Sequence, residues 1–243
     1  MSLNVIPVPI AKEIEPNDKI VDLILDSHEV CDGDILIIAQ KIISKQEGRL
    51  VKLSSIMPSL LAEGISSQYQ KDPRILELIL QESKRIVRMY NGIIIVETNN
   101  GFVCANAGID ESNVKDGYAT LLPKNSDESA KKIREEIFSK TKKSVAVIIS
   151  DTFGRPFRMG QINCAIGVAG INPIIDYAGT LDSHDKLLRV TAIAIADELS
   201  STAELVMKKS SKCPVAIIRN YNFSDDSSSI NELIRSEHED LFR

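Results

Sequence analysis

A chain of 243 residues is long enough for one large domain or two small ones, and 43% hydrophobic with 26% charged residues is the balance of a globular protein that folds in water. The net charge of −5 argues against sequence-independent nucleic-acid binding, which needs a basic field, but allows a local basic pocket. Four cysteines, Cys31, Cys104, Cys164 and Cys213, are scattered without CxxC spacing, which is poor for a zinc site or a disulfide framework and fits reduced, mostly buried thiols.

The N-terminus lacks the basic stretch and long apolar run of a signal peptide. The longest apolar stretches, near 35–38 and 145–149, fall far short of the roughly 20 residues a spanning helix needs. No membrane segment is expected, and a cytoplasmic location follows. Along the chain, 34–43 reads as a buried strand entering a functional loop. Asp72 as cap and Pro73 at the first helical position start a helix whose face carries Ile75, Leu78, Ile79, Glu82 and Ile86. Residues 92–97 read as a buried strand. A helix runs from about Asp127 to Lys140 with Ile133 and Ile137 inward, followed by a buried strand at 144–150. An alanine-rich helix covers roughly 187–208, unusual in carrying Asp197 and Glu198 in an apolar stretch. A strand at 214–219 follows, then a serine-rich loop at 224–229 and a short charged helix holding His238 at the surface. Strands and helices intermix without a strict βαβ rhythm, so the expected class is α+β rather than a doubly wound sheet. The two ends are expected to fold back together, giving one discontinuous domain, about 1–90 plus the C-terminal part, around a central insert.

Four polar stretches stand where a strand should simply turn. Residues 41–49 place Lys41, Ser44, Lys45, Glu47 and Arg49 after a buried strand near a glycine, which suits either an anion site or a solvated turn. Residues 97–113 concentrate Asn, Gly and small residues and end at Asp110, beside Ser112 and Asn113. Oxygen donors of this kind suit a hard cation, and equally an Asx-capped turn. In 149–161, Asp151 ends a very apolar strand, Thr152 adds a hydroxyl, and Arg155 and Arg158 follow between glycines. That set suits phosphate or carboxylate recognition, or an interdomain salt-bridge cluster. Residues 207–214 carry lysines at a helix end, which are ordinary dipole complements. The chain has no GxxxxGK[ST], GxSxG or HExxH motif, and its three histidines are isolated.

Taken together, these segments resemble the coenzyme F420-0:L-glutamate ligase family. The matching runs are 41–49, 101–113, Leu121-Leu-Pro with Asp127 and Ser129-Ala130, 150–161, 165–170, 196–199 and 203–207, in the family's order and spanning most of the chain. The resemblance implies a mixed-sheet, two-part architecture and an intertwined homodimer. It also implies a GTP-dependent reaction in which the carboxylate of a lactyl-phospho-deazaflavin becomes an acyl phosphate that the amine of L-glutamate attacks, with a second, γ-linked glutamate able to follow. Two Mg²⁺ or Mn²⁺ ions, often with K⁺, are implied as cofactors. Asp110 and Asp151, with Thr152, would hold the metals. GTP would lie near Ala11, Lys12, Glu13, Ile14, Gln40, Lys41, Lys45 and Asn113, and along Lys208, Lys209, Ser210, Ser211, Lys212, Cys213, Pro214 and Val215. Lys45 would contact phosphate directly, and Arg155 and Arg158 would hold the acyl phosphate or the acidic substrate.

The sequence departs from the family pattern at several points. Asn99-Asn100 replaces a more basic pair, Asn125-Ser126 an Asp-Pro pair, Asp185-Lys186 a Gly-Arg pair, and Lys208 a glycine. These departures put in question the nucleotide base and the identity or number of added amino acids. They leave open a non-catalytic nucleotide- or deazaflavin-binding paralogue, or a ligase for another carboxylate.

Overall fold

A computed structural model describes residues 2–225 and 229–240. In chain order the elements are β1 (Asn4–Val8), α1 (Ile20–Ser27), β2 (Ile35–Ala39), α2 (Gln40–Gln46), β3 (Leu50–Lys52), α3 (Leu60–Tyr69), α4 (Pro73–Gln81), β4 (Ser83–Tyr90), β5 (Ile93–Thr98), β6 (Val103–Ala105), β7 (Tyr118–Thr120), α5 (Ser126–Thr141), β8 (Ala146–Arg155), β9 (Arg158–Ala169), β10 (Ile175–Asp176), β11 (Ala192–Ile193), α6 (Ile195–Met207) and β12 (Val215–Arg219). The class is α+β, as the sequence implies. No helix among the described residues is long and apolar enough to cross a membrane.

The main sheet runs β1-β12-β2-β8-β9. Its β2–β8 pair is parallel and its other pairs are antiparallel. Ile35, Leu36, Ile37 and Ile38, and Ala146, Val147, Ile148 and Ile149, are each buried without alternation. Both faces of these strands are therefore covered, which is why they read as continuous apolar runs. α1, α5 and α6 join them in one core. A second core, with Leu76, Ile79, Ile94 and Val96 at its centre, gathers α3, α4 and the β4-β5-β6 sheet, and β3 and β7 pair beside it.

Several element boundaries differ from the sequence reading, for identifiable reasons. The run 34–43 is β2 followed at once by α2. Ile42 and Ile43 are buried from a helix rather than a strand, and short apolar runs do not separate the two by periodicity. The Asp72–Pro73 start holds, with Asp72 accepting the Arg74 N–H at 2.8 Å, but the helix ends at Gln81 and Ile86 belongs to β4. α6 begins at Ile195, not near 187. The loop expected at 149–161 is the far half of a long hairpin, β8 to β9. The serine-rich loop lies partly outside the described residues, and the final segment forms short 3-10 turns that leave His238 exposed.

One glycine fixes a close approach. A Cβ on Gly167 of β9 would lie 2.4 Å from the backbone of Ser126, where α5 starts across the sheet. Asp127 pins the crossing, accepting the Val168 N–H at 2.7 Å and the Ser229 hydroxyl at 2.7 Å. Gly167→Ala is therefore expected to cost about 2 kcal/mol by overpacking, read as a lower urea midpoint with an unchanged m-value.

Candidate active site

The polar segments converge where the two cores meet. α2 begins directly after β2, and the Ala39 N–H donates to the Pro214 carbonyl at 2.9 Å. This contact sets the 208–214 loop beside the start of the helix. From α2, Lys41 reaches Asp110, 69 residues away, with Nζ 2.7 Å from Oδ2, and also donates to the Ser112 hydroxyl at 2.9 Å. One turn on, Lys45 pairs with Glu13 and donates to the Asn113 carbonyl at 2.7 Å. Gln40 is buried under this turn and accepts the Ser44 hydroxyl at 2.8 Å. The Ile10 N–H donates to the Lys212 carbonyl at 3.1 Å, so the stretch Ala11, Lys12, Glu13 and Ile14 runs alongside the 208–213 loop. Within that stretch Ile14 is buried and Lys12 instead pairs with Asp18 at 2.6 Å. In the loop, Ser210 is exposed, Ser211 caps Met207, Cys213 is buried, and Val215 already belongs to β12.

Asp151 and Thr152 occupy adjacent positions on β8, so strand alternation sends them to opposite faces. Phe153, on the Asp151 side, packs edge-on against Phe102 at 6.3 Å. Thr152 faces α6, where its hydroxyl meets Asn163 at 2.9 Å and receives Lys209 Nζ at 2.5 Å. A β-bulge lies beside the acid, because Ile149 pairs with Gly167 while Ser150 pairs with Ala165, leaving Ile166 as the extra residue. Bulges of this kind re-aim side chains next to functional sites. The Ala165 N–H donates to Asp197 at 2.8 Å, which accounts for an acid at the start of α6.

Burial pushes the Asp151 carboxyl up to about 6. The Lys41 and Lys209 ammoniums pull it down and the neighbouring Asp110 pushes it further up. Asp110 behaves differently. Burial opposes its ionisation, yet the hydrogen bonds from Lys41 and Ser112 outweigh that and hold its pKa below the usual carboxylate range. The pair is thus one neutralised acid beside one under-neutralised acid. Burial also pushes the Cys104 and Cys164 thiols up to about 12, so neither is a thiolate near neutrality.

The other expected residues sit further off. Arg155 and Arg158 face each other at the hairpin tip, roughly 13 Å along the strand from Asp151 at the rise of extended chain. Arg155 donates to the Met159 carbonyl at 2.8 Å and Arg158 is exposed. Asn163, buried at 4% exposure and bonded to Thr152, Lys209 and Glu204, escaped the sequence reading. Its signal was an amide at the edge of the apolar half of β9.

Lys208, where the sequence departs from a glycine, has φ 52° and ψ 169°. That region is populated almost only by glycine and costs side-chain-bearing residues about 1–3 kcal/mol. Lys208→Gly is expected to raise stability by about 1 kcal/mol after the entropy cost of glycine, measured as a higher denaturation midpoint.

Asp110 and Asp151 are the residues here that could hold a divalent cation. No group of three or more His, Cys, Asp or Glu that could hold a metal gathers among the described residues. Mg²⁺ is commonly held by one or two carboxylates plus phosphate oxygens, however, and the under-neutralised Asp151 beside Asp110 offers two.

Two carboxylates and three lysines drawn from separate segments define an acid-and-cation cluster suited to polyphosphates. The chain belongs to the F420-0:gamma-glutamyl ligase family, whose model matches residues 10–220. It is 43% identical over 251 residues to the coenzyme F420:L-glutamate ligase of Methanothermobacter thermautotrophicus, with 100% of each chain covered. It is 46% identical over 221 residues to that of Methanocaldococcus jannaschii, covering 90% of this chain and 88% of the other. It is 36% identical over 244 residues to that of Archaeoglobus fulgidus, covering 100% and 97%.

Proposed function

We propose that this protein is a GTP-dependent ligase that forms an amide between L-glutamate and coenzyme F420-0, able to add a further γ-linked glutamate, through an acyl-phosphate intermediate. The observation that carries the reading is the partly buried, under-neutralised Asp151, whose carboxyl feels the charges of Asp110, Lys41 and Lys209, with Lys41 hydrogen-bonded to Asp110. A carboxylate cannot expel oxide, so it must first be given a leaving group. Its oxygen attacks the γ-phosphorus of GTP, releasing GDP and leaving an acyl phosphate. The glutamate amine then attacks the acyl carbon, and phosphate departs with the C–O electron pair as the amine loses a proton. Bound at Asp110 and Asp151, Mg²⁺ or Mn²⁺ would neutralise charge on the phosphates during transfer.

The chain's own residues bind and orient. Lys45, in the last turn of α2, is held by Glu13, which is 77% exposed, and by a carbonyl. A phosphate oxygen would replace these partners at little cost. Lys209 joins the 208–213 loop to β8 through Thr152, so a nucleotide held by that loop would lie against the strand that carries Asp151. Arg155 and Arg158, at the hairpin tip, suit the acidic tail of the deazaflavin better than the transferring phosphoryl. The implied homodimer is favoured by Phe157 and Met159 at the same tip, 91% and 97% exposed. K⁺ has no residue assigned to it.

Incubation with GTP, Mn²⁺, L-glutamate and F420-0 should release phosphate and yield a product heavier by a glutamyl residue in mass spectrometry. No product across varied metals and nucleotides would sink the reading. A non-catalytic nucleotide-binding role is favoured by the strained Lys208, and it predicts calorimetric GTP binding without phosphate release.

A further inference from the structure

A cavity of about 220 Å³ lies beside the 97–110 and 120–124 segments. Its wall carries Arg49, Glu82, Asn100 and Lys124, with Ala107 and Leu122 between them. The volume is below the roughly 300 Å³ at which pockets for drug-sized ligands begin, so it suits a small metabolite. The charges are specific in pattern. Arg49 and Lys124 are cations and Glu82 is an acid, the mirror image of a ligand with two carboxylates and one ammonium. Arg49 is fixed in place, with Nη2 2.8 Å from Glu82 and Nε donating to the Leu122 carbonyl at 2.9 Å. These bonds leave other guanidinium N–H groups for a ligand. Lys124 is exposed at the rim.

The cavity is tied to the candidate site through the backbone. Ala107 precedes Asp110 by three residues, at most about 11 Å of chain. Leu122 follows Thr120, whose N–H donates to the Asp110 carbonyl at 2.9 Å. The departures Asn99 and Asn100 line the same wall, and Asn125 adjoins it in sequence. Asn99 and Asn100 thus meet at this wall, whereas the departures at Asp185, Lys186 and Lys208 do not line it.

We infer that this cavity binds the free L-glutamate, with Arg49 and Lys124 taking its carboxylates and Glu82 its ammonium, and that Asn99 and Asn100 tune which amino acid is accepted. The inference rests on the ligase reading for its consequence but not for its test. Calorimetric titration of L-glutamate into the wild type with Mn²⁺ and a non-hydrolysable GTP analogue should give saturable binding. Lys124→Glu, at an exposed position where folding is not at stake, should weaken that binding at least ten-fold. In turnover its KM for L-glutamate should rise by a similar factor, with KM for GTP and for F420-0 within two-fold of wild type. Glu82→Gln should weaken L-glutamate more than glutarate, which lacks the ammonium. Equal glutamate affinity in wild type and Lys124→Glu, no glutamate binding by the wild type, or a KM change confined to F420-0 or GTP overturns the assignment. Failure of the ligase reading would appear separately, as calorimetric glutamate binding without a glutamyl product.

Discussion

Asp151→Asn should abolish turnover, by on the order of 10³-fold, while making the EDTA-treated protein more stable near pH 7.5. Both effects come from one physical fact. Burial raises the folded carboxyl to about 6 against an ordinary 3.8, so between those values the folded state binds more protons than the unfolded state. Stability must then fall as pH rises through that window, and the full penalty of the buried anion is present above it. Asparagine keeps the shape and carries no charge. Asp151 retains some solvent access, so the gain is discounted to about 2 kcal/mol, or roughly 4–8 °C in Tm for a chain of this size. The difference between variant and wild type should shrink as pH drops from 7 towards 4. Equal melting temperatures across that range, or retained turnover, would remove Asp151 from the role assigned to it. Adding Mn²⁺ with nucleotide should stabilise the wild type and leave the variant unmoved, reversing their order.

Lys45→Ala should lower kcat/KM for GTP about 100-fold, the scale of one lost charge-assisted contact to phosphate. Stability should fall by about 1 kcal/mol: Glu13 is mostly exposed and returns to water, but the packed Lys45 stem and its bond to the Asn113 carbonyl are lost. The loss should be read in nucleotide kinetics, with KM for L-glutamate holding steady. If GTP kinetics are unaffected, the ammonium has only the structural job of joining Glu13 to the Asn113 carbonyl.

Legibility from sequence followed how local the physics is. The Asp72-Pro73 start is fixed by capping within one turn and was readable. The buried strands at 35–39 and 146–149 were readable because both of their faces are apolar. The 41–49 stretch misread as a loop because it is a short helix whose buried side holds just two apolar residues, Ile42 and Ile43, beside the polar Gln40, Ser44 and Lys45. The hairpin misread as a loop because β8 and β9 run on beyond the covered part of the sheet, where polar and glycine residues replace the apolar signal. The alanine-rich stretch before α6 carries helix-like composition, but the helix start is set by packing on β9, through Asp197 and the bulge. For the site, the acids and lysines themselves were legible as residue types. Their pairing was not. Nothing in the sequence says that Lys41 meets Asp110 across 69 residues, or that Thr152 turns away from Asp151 towards Lys209.

The Lys41–Asp110 pair means that Asp110 carries its own counter-ion. On the proposed reading, the ammonium acts as a placeholder. If Asp110 held a divalent cation, Lys41 would be freed for an incoming phosphate, so the carboxylate would exchange one positive partner for another while the lysine exchanged one negative partner for another. Metal and nucleotide would then each vacate the other's seat, and their affinities would rise together through a swap of partners at almost constant local charge.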